Sequence, residues 1–193
     1  WIFEEKNRSG VIGYRMVVKR GGNEFDYYVQ PQYRLGPSQG VAYATVADFL
    51  IRCEGARVDG REVPLEELER FPAVAVYLDG FQFHASQDNP RFPLDIKKRM
   101  AISDSGHLMS WTLTWDDITQ FEDEERTPDV LGQLVSRHVH TWEKVGRILR
   151  HKKLSARISH FQNNLSRLFW ILQNGHLGKE GWKTYFHCYL LGL

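Results

Sequence analysis

Sulfur is scarce in this chain. Two cysteines, Cys53 and Cys188, occur in 193 residues, too few and too far apart for a disulfide framework, and no CxxC spacing offers a zinc ribbon. A reducing, cytoplasmic location is the expectation. No stretch approaches the roughly 20 consecutive apolar residues that a membrane span needs. No basic-then-apolar segment opens the chain, so no secretory signal is read. The GxxxxGK[ST] loop is also missing, which excludes a phosphate-gripping ATPase motor within these residues. Internal repeats and low-complexity tracts are absent, and a hydrophobic content of 42% argues against intrinsic disorder.

Net charge is low as well, at +1, but that figure averages two opposite halves. Residues 126–193 hold 11 Lys and Arg against 3 Asp and Glu, and the preceding 125 residues hold 14 against 21, so the halves carry +8 and −7. A cationic half beside an acidic one suits a protein that meets phosphates with one part and holds metal-binding carboxylates with the other. Mutual attraction of the halves explains the asymmetry equally well.

Most of the polar-apolar patterning before residue 126 is strand-like. "FDYYVQPQYRL", Phe25 to Leu35, has no helical period and carries Pro31, which predicts a strand with a bulge or kink. "ATVADFLIRC", Ala44 to Cys53, reads as a second strand. A turn follows at Asp59-Gly60, and "PLEELERF" from Pro64 reads as a short helical turn with proline at its start. "AVAVYLD", Ala73 to Asp79, is a third strand. "LDIKKRMAISDSG" predicts a helix of about three turns, with Ile96, Met100 and Ile102 or Ala101 on one side and Gly106 as its C-cap. "HLMSWTLTWDDI" alternates, with Met109, Trp111, Leu113 and Trp115 as its apolar side. After the acidic run "DDITQFEDEERTPD", apolar residues recur at helical spacing: Leu131 to Leu149, Leu154 to Leu172, then Trp182, Tyr185, Phe186 and Tyr189. The fold class expected is α/β, a central mixed sheet flanked by helices over residues 1–125, with a basic helical extension over 126–193.

Asp48 and Asp79 stand 31 residues apart on two expected neighbouring strands. Two carboxylates so placed can share a hard cation such as Mg²⁺ or Mn²⁺, whose retained waters supply the attacking hydroxide in phosphodiester cleavage. His84 would stand beside them as a proton acceptor or a donor to phosphate. Asp95 is a further candidate for the same site. Lys97, Lys98 and Arg99 are candidates for the nucleic-acid backbone, and at 100° per residue Lys98 shares a face with Asp95 while Lys97 points away. Lys152 and Lys153, with Arg147, Arg150 and Arg157, form a second basic cluster that suits a DNA groove or a solvated helix face. Plainer readings stand beside these. Asp79-Gly80 is also the signature of a turn, Asp48 can cap a neighbouring backbone, and a histidine between Phe83 and Ala85 can be a packed core residue. The Trp111–Trp115 stripe reads as core rather than a base-stacking platform, and "HVH" at 138–140 diverges on a helix too far to ligate a metal.

The order "VADFLI", "AVYLDGFQFH" and "DIKKRMAISDSGHLMSWTLTW" resembles the very-short-patch-repair (Vsr-like) branch of the PD-(D/E)xK restriction-endonuclease-like superfamily. "QPQYRLG", "LDGFQFH", "KRMAISDSG" and "WTLTWDDI" look more specifically like the nuclease-type module near the C-terminus of large bacterial DEAD/DEAH-box helicase-related proteins. The likeness covers residues 25–118. It implies a restriction-endonuclease-like sheet and a metal-dependent DNA endonuclease working with helicase or ATPase domains, with Asp48 as the metal-binding aspartate, Asp79 as the polar residue before glycine and His84 as the histidine after the aromatic. Ala47 replaces the family's proline. Tyr77 stands where many relatives carry the glutamate of (D/E)xK, with no lysine two residues on. Many relatives also carry a glutamate on a first helix, for which Glu4 and Glu5 are the candidates. The other function open to such a chain is that of a degenerate nuclease fold serving as a nucleic-acid-binding or inter-domain docking module.

Overall fold

In a computed structural model of the chain, residues 2–6, 12–79, 92–122, 164–178 and 181–182 are described. The chain divides into two compact units, Trp1–Trp115 and Asp116–Leu193.

The first unit is built on a mixed sheet. Strands β1 (Ile2–Lys6), β2 (Ile12–Arg20), β3 (Asn23–Leu35) and β4 (Thr45–Val58) form an antiparallel meander. The β2–β3 hairpin closes on Gly21 and Gly22, with φ of 55° and 88°. Two consecutive positive φ angles match the right-handed twist of the flanking strands, and glycine adopts them without strain. Asp59 and Gly60, with φ of 50° and 79°, make the same kind of turn into the two-residue strand β5 (Arg61–Glu62). A single helical turn, α1 (Leu65–Leu68), follows Pro64. Strand β6 (Ala73–Asp79) then pairs antiparallel with β4. Helix α2 (Phe92–Asp104) carries the chain back, as a parallel pairing requires, and β7 (Leu108–Thr114) lies parallel to β6. Gly106, φ 90°, takes the backbone out of α2 in a conformation that side chains resist.

Val74, Ala75 and Val76 are buried in succession, which is why β6 reads as an unbroken apolar run: both of its faces are covered. On one face Leu50, Ala75 and Leu108 pack with Ala101 and Ile102 of α2. The buried stripe of α2 thus differs from the sequence expectation. Ile96 and Met100 are 40% and 59% exposed, while Ala101 and Ile102 are within the core. Small residues on the sheet, Ala73 and Ala75, admit Ile102 closely, and one turn toward the helix start the same face holds half-buried Asp95, Lys98 and Arg99. Trp115 also departs from expectation. It opens the next helix instead of ending β7 and is 71% exposed, whereas Trp111 is core. Glu4 and Glu5 lie on a strand, not on a first helix. Pro31 does sit at an irregularity: Gln32 beside it has φ 50°. The bulge of the β3–β4 pair lies elsewhere, at Asp26/Tyr27.

Burial in this sheet has a consequence at high pH. The Cys53 thiol is pushed up to about 12, chiefly by burial, although its Sγ donates to the Gly55 carbonyl at 3.3 Å. Burial likewise holds the Tyr27 phenol well above its usual 10. Both groups keep their protons more tightly in the folded chain than in the unfolded one. Their contribution to stability is therefore complete below pH 9 and drains away as pH rises toward 12. The urea midpoint is expected to fall steadily above pH 9, and Cys53→Ala to flatten that fall; a midpoint constant to pH 11 would contradict the assignment.

The second unit contains α3 (Trp115–Glu122), which starts at the boundary, and α4 (Asn164–Gln173). Buried Asp117 accepts the Asn164 N–H at 2.8 Å and so caps α4, and Arg167 Nη1 donates to Asn164 Oδ1 at 2.6 Å. Leu168, Trp170, Ile171, Leu172 and Trp182 are buried. Trp182 Nε1 donates to the Asn174 carbonyl at 3.2 Å. The expected apolar positions from Leu131 to Phe161, Tyr185, Phe186, Tyr189, and the "HVH" motif lie outside the described residues. No helix among the described residues is long and apolar enough to cross a membrane.

Candidate functional site

The middle of the sheet splits. β4 and β6 pair over only three residues, Ile51↔Val74 to Phe49↔Val76. Beyond that point β4 stays with β3 as far as Leu35↔Thr45, and β6 stays with β7 as far as Asp79↔Thr114. The two central strands therefore open into a fork whose inner edges have no ladder partners among the described residues.

Asp48 stands at the mouth of the fork. Its Oδ2 accepts the backbone N–H of Leu78 at 2.8 Å, replacing the carbonyl that a continued ladder would have supplied. Its Oδ1 accepts Gln32 Nε2 at 3.3 Å. The left-handed backbone of Gln32 lies next to Pro31, at the point where β3 passes the fork. A carboxylate has about four lone-pair directions, so these two bonds leave Asp48 able to take a cation as well.

Continuing the β4–β6 register by one residue sets Asp48 beside Tyr77. Tyr77 is half-buried, and its hydroxyl lies 3.3 Å from Thr45 Oγ1, bridging the two arms of the fork. Arg99 of α2 lies over its ring, 5.3 Å from guanidinium carbon to centroid. Burial is the main force raising the Tyr77 phenol above its usual 10. The hydrogen bond to Thr45 and the Arg99 charge pull it down, while Asp48 and Asp95 push it further up. Tyr77 is consequently a neutral hydroxyl at working pH, and the carboxylates of Asp48 and Asp95 both reach it electrostatically.

Of the residues expected from sequence, Arg99 lies over the Tyr77 ring and Asp48 stands beside Tyr77 by strand register, while Asp95 lies on the same face of α2 as Arg99. Asp79 ends β6, in register with Thr114 and two residues beyond Tyr77. Lys98 is half-buried on α2 and Lys97 is exposed, as the helical phase predicts. His84, Lys152 and Lys153 lie outside the described residues. Tyr77, Thr45 and Gln32 were not anticipated as site members. A tyrosine within an otherwise aliphatic buried strand was the available signal, as was a glutamine directly after a strand proline.

Among the described residues no group of three or more His, Cys, Asp and Glu is arranged to hold a metal ion. Two open clefts occur elsewhere on the first unit. One of about 640 Å³ runs past Arg15, Asp26, Arg57, Glu62 and Leu65, with Arg15 paired to Asp26 and Arg57 to Glu62 across it. The other, of about 370 Å³, lies between Tyr43 and the Lys97–Met100 side of α2. Neither includes Asp48. No protein-family model, curated protein or solved structure matches the chain.

Proposed function

We propose that the first unit is a Vsr-like, restriction-endonuclease-like module that hydrolyses DNA phosphodiesters with a divalent metal, as part of a cytoplasmic helicase-related DNA-processing protein. The single observation carrying this reading is the fork, with Asp48 at its mouth on the antiparallel partner of β6, followed by the β6–α2–β7 parallel unit whose helix turns Arg99 back over the opening. That is the order of elements the sequence resemblance calls for. Diverging strands also leave backbone N–H groups outside the ladder, which can meet phosphate oxygens.

Asp48 and Asp79 would hold the ion. Magnesium commonly takes only one or two protein carboxylates and keeps its waters, so the remaining lone pairs of Asp48 fit it. Once bound, the ion would supply a water of lowered pKa and polarise the phosphate. His84 would accept the proton from the attacking water. Lys98, Arg99, Lys152 and Lys153 would meet the DNA backbone.

A second reading, a degenerate nuclease fold that binds DNA or docks other domains without cutting, is favoured by one feature. The position of the family's glutamate is filled by a neutral phenol, so no carboxylate stands directly beside Asp48 on β6. Supercoiled plasmid and single-stranded DNA separate the two readings. Nicking with Mg²⁺ or Mn²⁺ that stops with chelator and is lost in Asp79→Ala is the expected result. Binding without cutting under every metal would favour the degenerate module, and cutting unchanged in both Asp48→Ala and Asp79→Ala would move the site elsewhere.

A further inference from the structure

The cleft of about 370 Å³ beside α2 is lined by the small side chains of Ala42 and Ala101, by Tyr43 from the segment before β4, and by Lys97, Met100 and Asp104 of the helix. Tyr43 is 50% exposed and Met100 more so, so an aromatic face and a polarisable thioether are both left uncovered at one opening. Lys97, Met100, Ala101 and Asp104 recur at i, i+3, i+4 and i+7, which places them on one face of α2. The two charges stand two helical turns apart, about 10 Å along the axis. Among the described residues, the side chains of Tyr43, Lys97 and Asp104 form no ion pair or hydrogen bond. Asp104 also closes the last turn of α2, where the carbonyl end of a helix disfavours an anion. Its charge thus works against the helix that carries it.

These groups match the parts of one nucleotide. A base stacks on an aromatic face, and a strand taken out of its duplex exposes such faces. A lysine meets the phosphate. A carboxylate accepts from the N4 amine of cytosine and repels the O4 that thymine offers at the same position. We propose that this cleft is a single-stranded DNA subsite, with a base stacked on Tyr43 beside Met100, its phosphate on Lys97 and the amine of cytosine on Asp104. The subsite rests on the nucleic-acid reading given above and adds to it the form of DNA and a base preference. It does not include Asp48.

The test is binding of short labelled oligo(dC) and oligo(dT) to the full chain in chelator, followed by anisotropy over a range of salt. Wild type should bind oligo(dC) about tenfold more tightly than oligo(dT), the worth of one charge-assisted hydrogen bond. Asp104→Leu should make the two affinities equal. Tyr43→Ala should weaken both about tenfold, and Tyr43→Phe should bind like wild type. Lys97→Gln should lower the slope of log affinity against log salt by about 0.7, the signature of one lost phosphate contact on a single strand. Unchanged binding in Tyr43→Ala and Lys97→Gln overturns the subsite, as does a wild type that prefers oligo(dT). Lower melting temperatures in these variants with the base preference and salt slope intact would mark a merely structural role and overturn it too. Free dCMP that competes as strongly as the oligomer would assign the cleft to a mononucleotide and overturn the strand. Metal-dependent nicking with no effect of these variants on binding leaves the nuclease reading standing without the subsite. Tyr43-dependent oligo(dC) binding in a protein that never cuts does the reverse, and a wild type that binds neither single-stranded nor duplex DNA overturns both.

Discussion

On the nuclease reading, Asp48→Asn is expected to lower metal-dependent cleavage about 10²-fold or more, while leaving the melting temperature close to wild type. A metal acting as Lewis acid supplies several kcal/mol of transition-state stabilisation, and each 1.36 kcal/mol is tenfold in rate. Removing the anionic ligand forfeits much of that. Asparagine keeps a side-chain oxygen where the Leu78 N–H donates at 2.8 Å, so the closure of the fork survives. Asp48→Ala loses that acceptor too and should cost about 1 kcal/mol of stability in addition to activity. The pair of variants separates charge from scaffolding: chemical rate is read by plasmid nicking and stability by urea denaturation. If Asp48→Asn cuts as fast as wild type, the carboxylate is only a backbone cap. If the fold binds DNA at the fork without cutting it, Asp48→Asn should bind DNA more tightly, because it removes a negative charge there.

Gly13→Ala is expected to be the most damaging single-methyl change in the first unit. A Cβ at this position on β2 would overlap Cζ and Oη of Tyr28 and lie 2.8 Å from its Cε2. Tyr28 is 3% exposed and is flanked on its other side by Arg52, whose guanidinium carbon lies 5.9 Å from the ring centroid. Because the ring is buried, moving it aside displaces its neighbours. Overpacking of this kind costs about 1–3 kcal/mol, or about 4 °C in melting temperature per kcal/mol for a domain of this size. The clash also predicts non-additivity. Tyr28→Leu is destabilising alone, through lost burial, yet Gly13→Ala combined with it should cost less than the sum. Full additivity in urea titrations would show that the ring and the glycine do not meet.

What the sequence disclosed followed from how strongly each segment was marked. β6 was legible because Val74, Ala75 and Val76 are buried in succession and the run is broken in sequence by Asp79-Gly80. The Asp59-Gly60 turn and the turn of helix after Pro64 carry residues whose backbone preferences force those shapes. The β1–β2 arm went unread, although Gly21-Gly22, which joins it to β3, was a turn signal. Its strands carry Glu4, Arg15 and Lys19 on exposed positions and show no clean alternation. In α2 the apolar residues misled, since Ile96 and Met100 are exposed and the half-buried turn is charged. The core contact of α2 is made instead by Ala101 and Ile102, near its C-terminal end. The Asp48 position was readable as a carboxylate among apolar neighbours. Its partners were not, because Gln32, Thr45 and Tyr77 come from three strands and meet only through a split in pairing that no local pattern announces.

Gln32 sets a tension between folding and use. Holding a residue with a Cβ in the left-handed region costs about 1 kcal/mol, and glycine at this position would recover it. The same glycine would delete the amide that grips Asp48 Oδ1 and let the carboxylate swivel. A glycine at residue 32 would therefore trade backbone strain for the loss of one of the two hydrogen bonds that orient Asp48.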